Sequence, residues 1–197
     1  MANYNFFAML SRMKYINRWG LMNNTREENI GEHSLDVAIF AHALVSIANK
    51  RFGENLNADK AALMGLFHDA SEIITGDMPT PIKYFDPKIK EAYKNIEHLS
   101  EQKLLSMLPE YLVDVYEPLV DSELADERLH VYVKAADKLS ALCKCREELK
   151  MGNVEFLKAE RSTFEALEKI DLLEKRHIVT TWMGLEGIML SEISQIE

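Results

Sequence analysis

The chain has 197 residues, 47% apolar and 28% charged, with a formal net charge of −9. That is enough chain for one domain with a sizeable core, read here as a single unit over 1–197. The acidic balance argues against a surface that tracks a nucleic-acid polymer, but a small anionic substrate stays compatible, because one metal ion and one arginine reverse the field locally.

Five prolines and eight glycines are too few for a fibrous or disordered chain. No apolar run approaches the ~18 residues of a membrane span. The start, Met1-Ala2-Asn3-Tyr4, lacks the basic and apolar regions of a signal peptide. Cys143 and Cys145 form a C-x-C in a helical stretch; about 200° apart, their sulfurs point to opposite faces and read as reduced structural thiols. The expectation is a cytoplasmic protein with no membrane partner.

In chain order, residues 4–16 place Phe6, Phe7, Met9, Leu10, Met13 and Ile16 at helical spacing. The polar connector from Asn17 to Ile30 carries Arg18-Trp19-Gly20, chemistry that a plain linker does not need. A helix is predicted from Glu32 to Phe52, with His33, Val37, Phe40, Leu44 and Ile47 on one stripe. Asn57 reads as the cap of a helix from Ala58 to about Ile74, rich in small residues (Ala61, Ala62, Gly65). Thr75 to Pro81, with two prolines and a glycine, must be irregular. Asp86-Pro87 reads as a cap followed by proline at the first helical position, of a helix reaching about Met107; Pro109 starts a short one. A long helix is predicted from Leu124 to Lys150, then two more over about 154–169 and 173–190. Strict alternation and hairpin signals are lacking, so the fold class is all-α.

Three polar anomalies sit on apolar faces. His33 lies on the core stripe of its helix. His68-Asp69 ends the run Leu63-Met64-Gly65-Leu66-Phe67, and Asp137 is embedded in Lys134-Ala135-Ala136-Asp137-Lys138. A buried aspartate should be paired or coordinate a metal. Two imidazoles and two carboxylates make one N/O site for a divalent cation, with Co, Mn, Zn or Fe preferred to Mg. Singly, His33 could be a hydrogen-bonded core histidine. Glu72 follows Asp69 by three and stays on its face if the helix continues, where it suits proton transfer; otherwise it is a solvated glutamate. His42 lies about 180° from His33. His98 and His177 sit in charged surroundings and read as solvated, and His130, two turns before Asp137, reads as packing.

The segments Phe6-Phe7-Ala8-Met9-Leu10-Ser11-Arg12, Ile16-Asn17-Arg18-Trp19, Glu32-His33-Ser34, His68-Asp69-Ala70-Ser71-Glu72 and Thr75 to Phe85 resemble the bacterial HD-domain 5′-deoxynucleotidases, within the HD-domain metal-dependent phosphohydrolases. The likeness covers most of 1–150 and fades in the C-terminal helices. It implies a compact multi-helix fold and hydrolysis of deoxyribonucleoside 5′-monophosphates to deoxynucleoside and phosphate. It implies His33, His68, Asp69 and Asp137 as metal ligands, Glu72 as the proton-transfer residue and Arg18 as the group orienting the phosphate. Trp19 is implied as a wall beside the sugar, and Asp77, Met78, Pro79 and Thr80 as substrate contacts, Asp77 at a sugar hydroxyl. It also implies a homodimer and a preference for cobalt.

The chemistry is consistent with that reading. A divalent ion lowers the pKa of water from ~15.7 towards neutrality and acts as a Lewis acid, while Arg18 can clamp phosphate in a bidentate manner. Selectivity against ribose asks more. An apolar pocket discriminates by only ~10², and Trp19 is either a steric wall at the 2′ position or a loop anchor. A triphosphohydrolase or phosphodiesterase on this fold would need more positive charge or more well-placed histidines. A non-catalytic nucleotide-binding protein would be expected to have lost a ligand or Glu72.

Overall fold

The computed structural model describes residues 4–122, 124–170 and 172; the predicted helix over 173–190 lies outside them. Helices appear as α1 (Phe6–Leu10), α2 (Ile30–Arg51), α3 (Ala58–Phe67), α4 (Glu72–Thr75), α5 (Thr80–Lys83), α6 (Pro87–Leu105), α7 (Glu110–Val120), α8 (Glu127–Lys150) and α9 (Leu157–Glu168), with 3₁₀ turns at Met13–Tyr15 and Val154–Phe156. Among the described residues the extended pairing is one isolated antiparallel bridge, Asn17 to Asn29, so the all-α expectation holds.

Several boundaries moved, each for a local reason. The N-terminal stripe is broken into α1 and a 3₁₀ turn. Helix α2 starts at Ile30 because Asn29 accepts from the Gly31 and Glu32 amides, both at 3.0 Å, while Glu32 returns a bond to the Asn29 amide. Helix α8 starts at Glu127, not Leu124, because Asp126 caps the Arg128 and Leu129 amides. Asn57 and Asp86 cap α3 and α6 as predicted. The irregular stretch is shorter than expected, since Pro81 falls inside the first turn of α5, where a missing amide costs nothing.

The larger core cluster joins Val37, Ala41, Leu44, Val45 and Ala48 of α2 to Ala61 and Met64 of α3 and to Leu129, Tyr132, Val133, Ala136, Leu139 and Leu142 of α8. A second cluster, Phe6, Ala70, Leu104, Leu105, Leu108 and Val120, ties α1 to α6 and α7, with Phe67 packed against it. Helices α2 and α3 approach so closely that a Cβ on Gly65 would lie 3.0 Å from the backbone of Ala38. By length and composition, α2 is apolar enough to cross a membrane, contrary to the reading that no run comes near. It is the central core helix, with 44% of that window already buried against protein.

Candidate active site

The site lies where the N-terminal turn of α2, the end of α3 and the middle of α8 meet. From α2, His33 is fully buried, with its Nδ1 2.9 Å from Ser140 Oγ on α8. From the end of α3, His68 donates its Nδ1–H to the Gly65 carbonyl at 2.8 Å. Both rings are therefore held by Nδ1 and turn Nε2 into the same space, where neither Nε2 has a hydrogen-bond partner among the described residues. The carboxylates close around them. Asp69 Oδ2 is 3.2 Å from His68 Nε2 and 3.6 Å from His33 Nε2, and Asp137 Oδ1 is 3.2 Å from His33 Nε2. Ligand atoms of His33, His68 and Asp69 all lie within 4.8 Å of one another. Two buried, bare imidazole nitrogens between two carboxylates are the donor set a divalent transition ion fits, with the ring orientation already fixed from behind.

Electrostatics separates the members. Burial lowers the His33 pKa, helped by Arg18. For His68, burial pulls down but Asp69 and Asp137 prevail and raise it. Burial pushes both carboxyls up, yet His68 and His33 hold Asp69 well below the usual range, and Lys138 with the two imidazoles does the same for Asp137. Lys138 Nζ donates to Asp137 Oδ2 at 2.8 Å.

The helix predicted through Ile74 does not continue. Helix α3 ends at Phe67, and residues 68–71 form tight turns, with Ala70 N bonded to the Phe67 carbonyl and Glu72 N to the Asp69 carbonyl at 3.0 Å. In such i to i+3 geometry side chains three apart eclipse, which keeps Glu72 over Asp69 by a different route from the one predicted. Phe67 and Ala70 face the second core cluster while His68 and Asp69 face the site. Glu72 is buried, its Oε2 lacks a hydrogen-bond partner among the described residues, and burial with Asp69 and Asp77 pushes its carboxyl up to about 10.

Opposite stands the loop after Ile16. Arg18 and Trp19 both bind Glu28, which sequence reasoning passed over: Arg18 Nη1 and Trp19 Nε1 donate to the same Oε2, at 2.8 and 2.7 Å. Trp19 has φ +62°, a left-handed backbone that costs a non-glycine residue about 1–2 kcal/mol. Its amide donates to Asp77 Oδ2 at 3.2 Å, joining this loop to the Gly76–Pro79 segment, and its indole tilts against Phe156 at 5.3 Å. Burial opposes the Arg18 charge, but Glu28, Asp69, Asp137 and Asp77 outweigh it and raise its pKa. Met78 and Pro79 are half-buried and Thr80 is exposed at the start of α5.

The loop is anchored by a second unforeseen glutamate. Glu148 of α8 accepts from the Thr25 amide and hydroxyl, the Arg26 amide, Asn153 and Lys144, whose Nζ also donates to the Arg26 carbonyl. Of the other histidines, exposed His42 lies 3.5 Å from Asp59 and away from the site. His98 is not simply solvated: it is half-buried, 3.7 Å from buried Glu101. His177 lies outside the described residues. Cys145 is buried, and that burial pushes its thiol up to about 12.

Solved structures with this arrangement of helices include two described as HD phosphohydrolases. One from Listeria innocua superposes with a TM-score of 0.77 at 21% identity, covering 91% of this chain and 87% of its own. One from cyanophage S-2L, described as bound to dA and one catalytic Zn2+ ion, gives 0.63 at 21% identity, covering 91% and 94%. The fold is thus the all-helical arrangement that these structures share. The chain belongs to the 5′-deoxynucleotidase YfbR-like family, whose model matches residues 5–183. It is 47% identical over 195 residues to the 5′-deoxynucleotidase YfbR of Escherichia coli O1:K1, covering 99% of this chain and 98% of that relative.

Proposed function

We propose that this chain is a metal-dependent 5′-deoxynucleotidase, hydrolysing deoxyribonucleoside 5′-monophosphates to deoxynucleoside and phosphate and discriminating against ribonucleotides. The observation that carries it is the pair of imidazoles, buried His33 and half-buried His68, each held at Nδ1 with a buried, bare Nε2 beside Asp69 and Asp137. Those four residues hold one divalent transition ion, Co2+ by preference, with Mn2+ and Zn2+ also suited to imidazole and carboxylate donors. When bound, the ion supplies Lewis acidity toward the phosphoryl oxygens and lowers the pKa of water.

The chain's own residues do the rest. Arg18, restrained through one nitrogen by Glu28, retains N–H groups for the phosphate and neutralises charge that builds on it. Glu72, whose buried carboxyl is protonated, gives that proton to the 5′ oxygen as its bond to phosphorus breaks and takes up the proton that the attacking water loses, so the carboxyl ends as it began. Trp19 stands as a rigid wall at the 2′ position. Asp77 accepts from a sugar hydroxyl, and Met78, Pro79 and Thr80 line the nucleoside.

The fold acts as one domain over 1–197. A homodimer is supported by exposed apolar residues on neighbouring helices, Leu35 and Ile39 of α2 with Leu63 and Leu66 of α3. A cytoplasmic setting is supported by cysteines that form no disulfide.

The test is phosphate release from dAMP and AMP by metal-stripped protein resupplied with Co2+, Mn2+ or Mg2+. Metal-dependent turnover of dAMP with little from AMP is expected. Equal turnover would remove the selectivity, and no turnover of either would remove the monophosphatase reading.

A further inference from the structure

We propose that Glu28 is a positioning residue that sets sugar selectivity, locking the phosphate-binding guanidinium of Arg18 and the indole of Trp19 to one oxygen so that they act as a unit. This rests on the reading above, in which Arg18 meets the phosphate and Trp19 the 2′ position. Three observations converge on Glu28. Its Oε2 accepts from both Arg18 Nη1 and Trp19 Nε1, at 2.8 and 2.7 Å. It is 5% exposed, so water does not compete for that oxygen. Its carbonyl accepts the Arg18 amide at 2.8 Å, and with the Ile30 amide bonded to the Ile16 carbonyl this pins both ends of the loop to the start of α2.

The other ring contacts of the indole are not directional. Its backbone lies in no regular element, at φ +62°, and Phe156 at 5.3 Å and the Arg18 guanidinium at 5.7 Å pack on its faces without setting χ1 and χ2 as a hydrogen bond does. The hydrogen bond to Glu28 sets them. Because the same oxygen restrains Arg18, the position of the bound phosphate and that of the wall are referred to one point. A nucleotide held by its phosphate therefore presents its 2′ carbon to the indole at a reproducible distance, and an added hydroxyl collides. Binding of a rigid, oriented group is where such discrimination comes from.

Glu28→Gln and Glu28→Ala separate the charge from the tether. Glutamine keeps a side-chain oxygen that can accept from both donors but loses the ion pair with Arg18. We expect Glu28→Gln to lower kcat/KM for dAMP by ~10-fold while keeping the dAMP over AMP ratio near that of the wild type. Glu28→Ala should lower kcat/KM by ~10² and collapse the ratio towards unity. A readout independent of activity comes from Trp182→Phe protein, in which Trp19 is the remaining tryptophan. Acrylamide quenching of its fluorescence should rise in Glu28→Ala and stay unchanged in Glu28→Gln. Metal content and far-UV circular dichroism check the cradle and the fold. If the alanine variant does not fold, Glu28→Asp, one methylene too short to reach both donors, takes its place.

A wild-type dAMP over AMP ratio in a folded Glu28→Ala protein, or unaltered quenching, overturns the proposal. If the wild-type enzyme itself shows no preference for dAMP, the selectivity reading falls whatever Glu28 does. The link from Glu28 to selectivity falls with it, and quenching alone then reports whether Glu28 holds the indole.

Discussion

His33, His68 and Asp137 project from helices, or helix ends, whose packing is apolar, whereas Arg18 and Trp19 stand on a loop held by two buried carboxylates, Glu28 and Glu148. The two halves of the site fail in different ways as a result. The cradle is as rigid as the core behind it, because Val37, Ala136 and Leu139 are buried one or a few residues from His33 and Asp137. The loop depends on directional bonds with little apolar burial of its own, so removing one acceptor leaves several donors unsatisfied at once.

The largest expected effect is in the cradle. Asp137→Ala should lose at least ~10³ in dAMP turnover together with metal content measured by elemental analysis, while the loop, and hence Trp19 quenching, stays as in the wild type. Retained metal and activity would mean that the carboxylate at 137 is structural.

Next comes the loop anchor. Glu148→Gln keeps an acceptor oxygen but leaves the buried Lys144 ammonium without its countercharge, and breaking such a pair costs about 3–5 kcal/mol in urea unfolding. Acid should mimic it. Burial alone would push the Glu148 carboxyl up, but Lys144, Thr25 and Asn153 outweigh it and hold it far below its ordinary 4.5. A depressed carboxylate stabilises the fold fully above that ordinary value and loses its contribution as pH falls further. Stability of the wild type should thus decline below about pH 4.5 more steeply than that of Glu148→Gln; parallel curves would show that this network carries no such weight.

The close approach of α2 and α3 gives a smaller effect. Gly65→Ala places a Cβ 3.0 Å from the Ala38 backbone, and such overpacking costs about 1–3 kcal/mol, readable as a lower Tm. An unchanged Tm would mean that the two helices can separate freely. The smallest concerns His33 from behind. Ser140→Ala should weaken metal affinity by ~10–100-fold with little change in Tm; unaltered affinity would show that the core alone orients the ring.

Much of the cradle is legible in the chain because its signals are local. His33 on an apolar stripe, His68-Asp69 at the end of an apolar run and Asp137 among alanines each violate the pattern of their own helix. The Asn29 to Glu32 capping box is equally local and could have placed the start of α2 correctly. The break after Phe67 could not have been read this way, since no glycine or proline marks it. It arises because Phe67 and Ala70 pack on a second cluster built from α1, α6 and α7.

Glu28 and Glu148 were invisible for a related reason. Glu27-Glu28 lies in a polar connector, and Lys144 with Glu148 has the spacing of an ordinary surface pair. Glu148 is buried where chain more than a hundred residues away, Thr25, folds over it, and Glu28 where Arg18 and Trp19 close on its carboxylate. By itself, then, the sequence determined most of the helices and which polar residues break an apolar pattern, since periodicity, caps and misplaced polar residues are properties of neighbouring positions. The phosphohydrolase expectation rested on the likeness of its motifs to a family. Only the tertiary structure decided which acids are buried, which donors they hold and how the two loops meet, because burial belongs to the packed chain and not to any one segment of it.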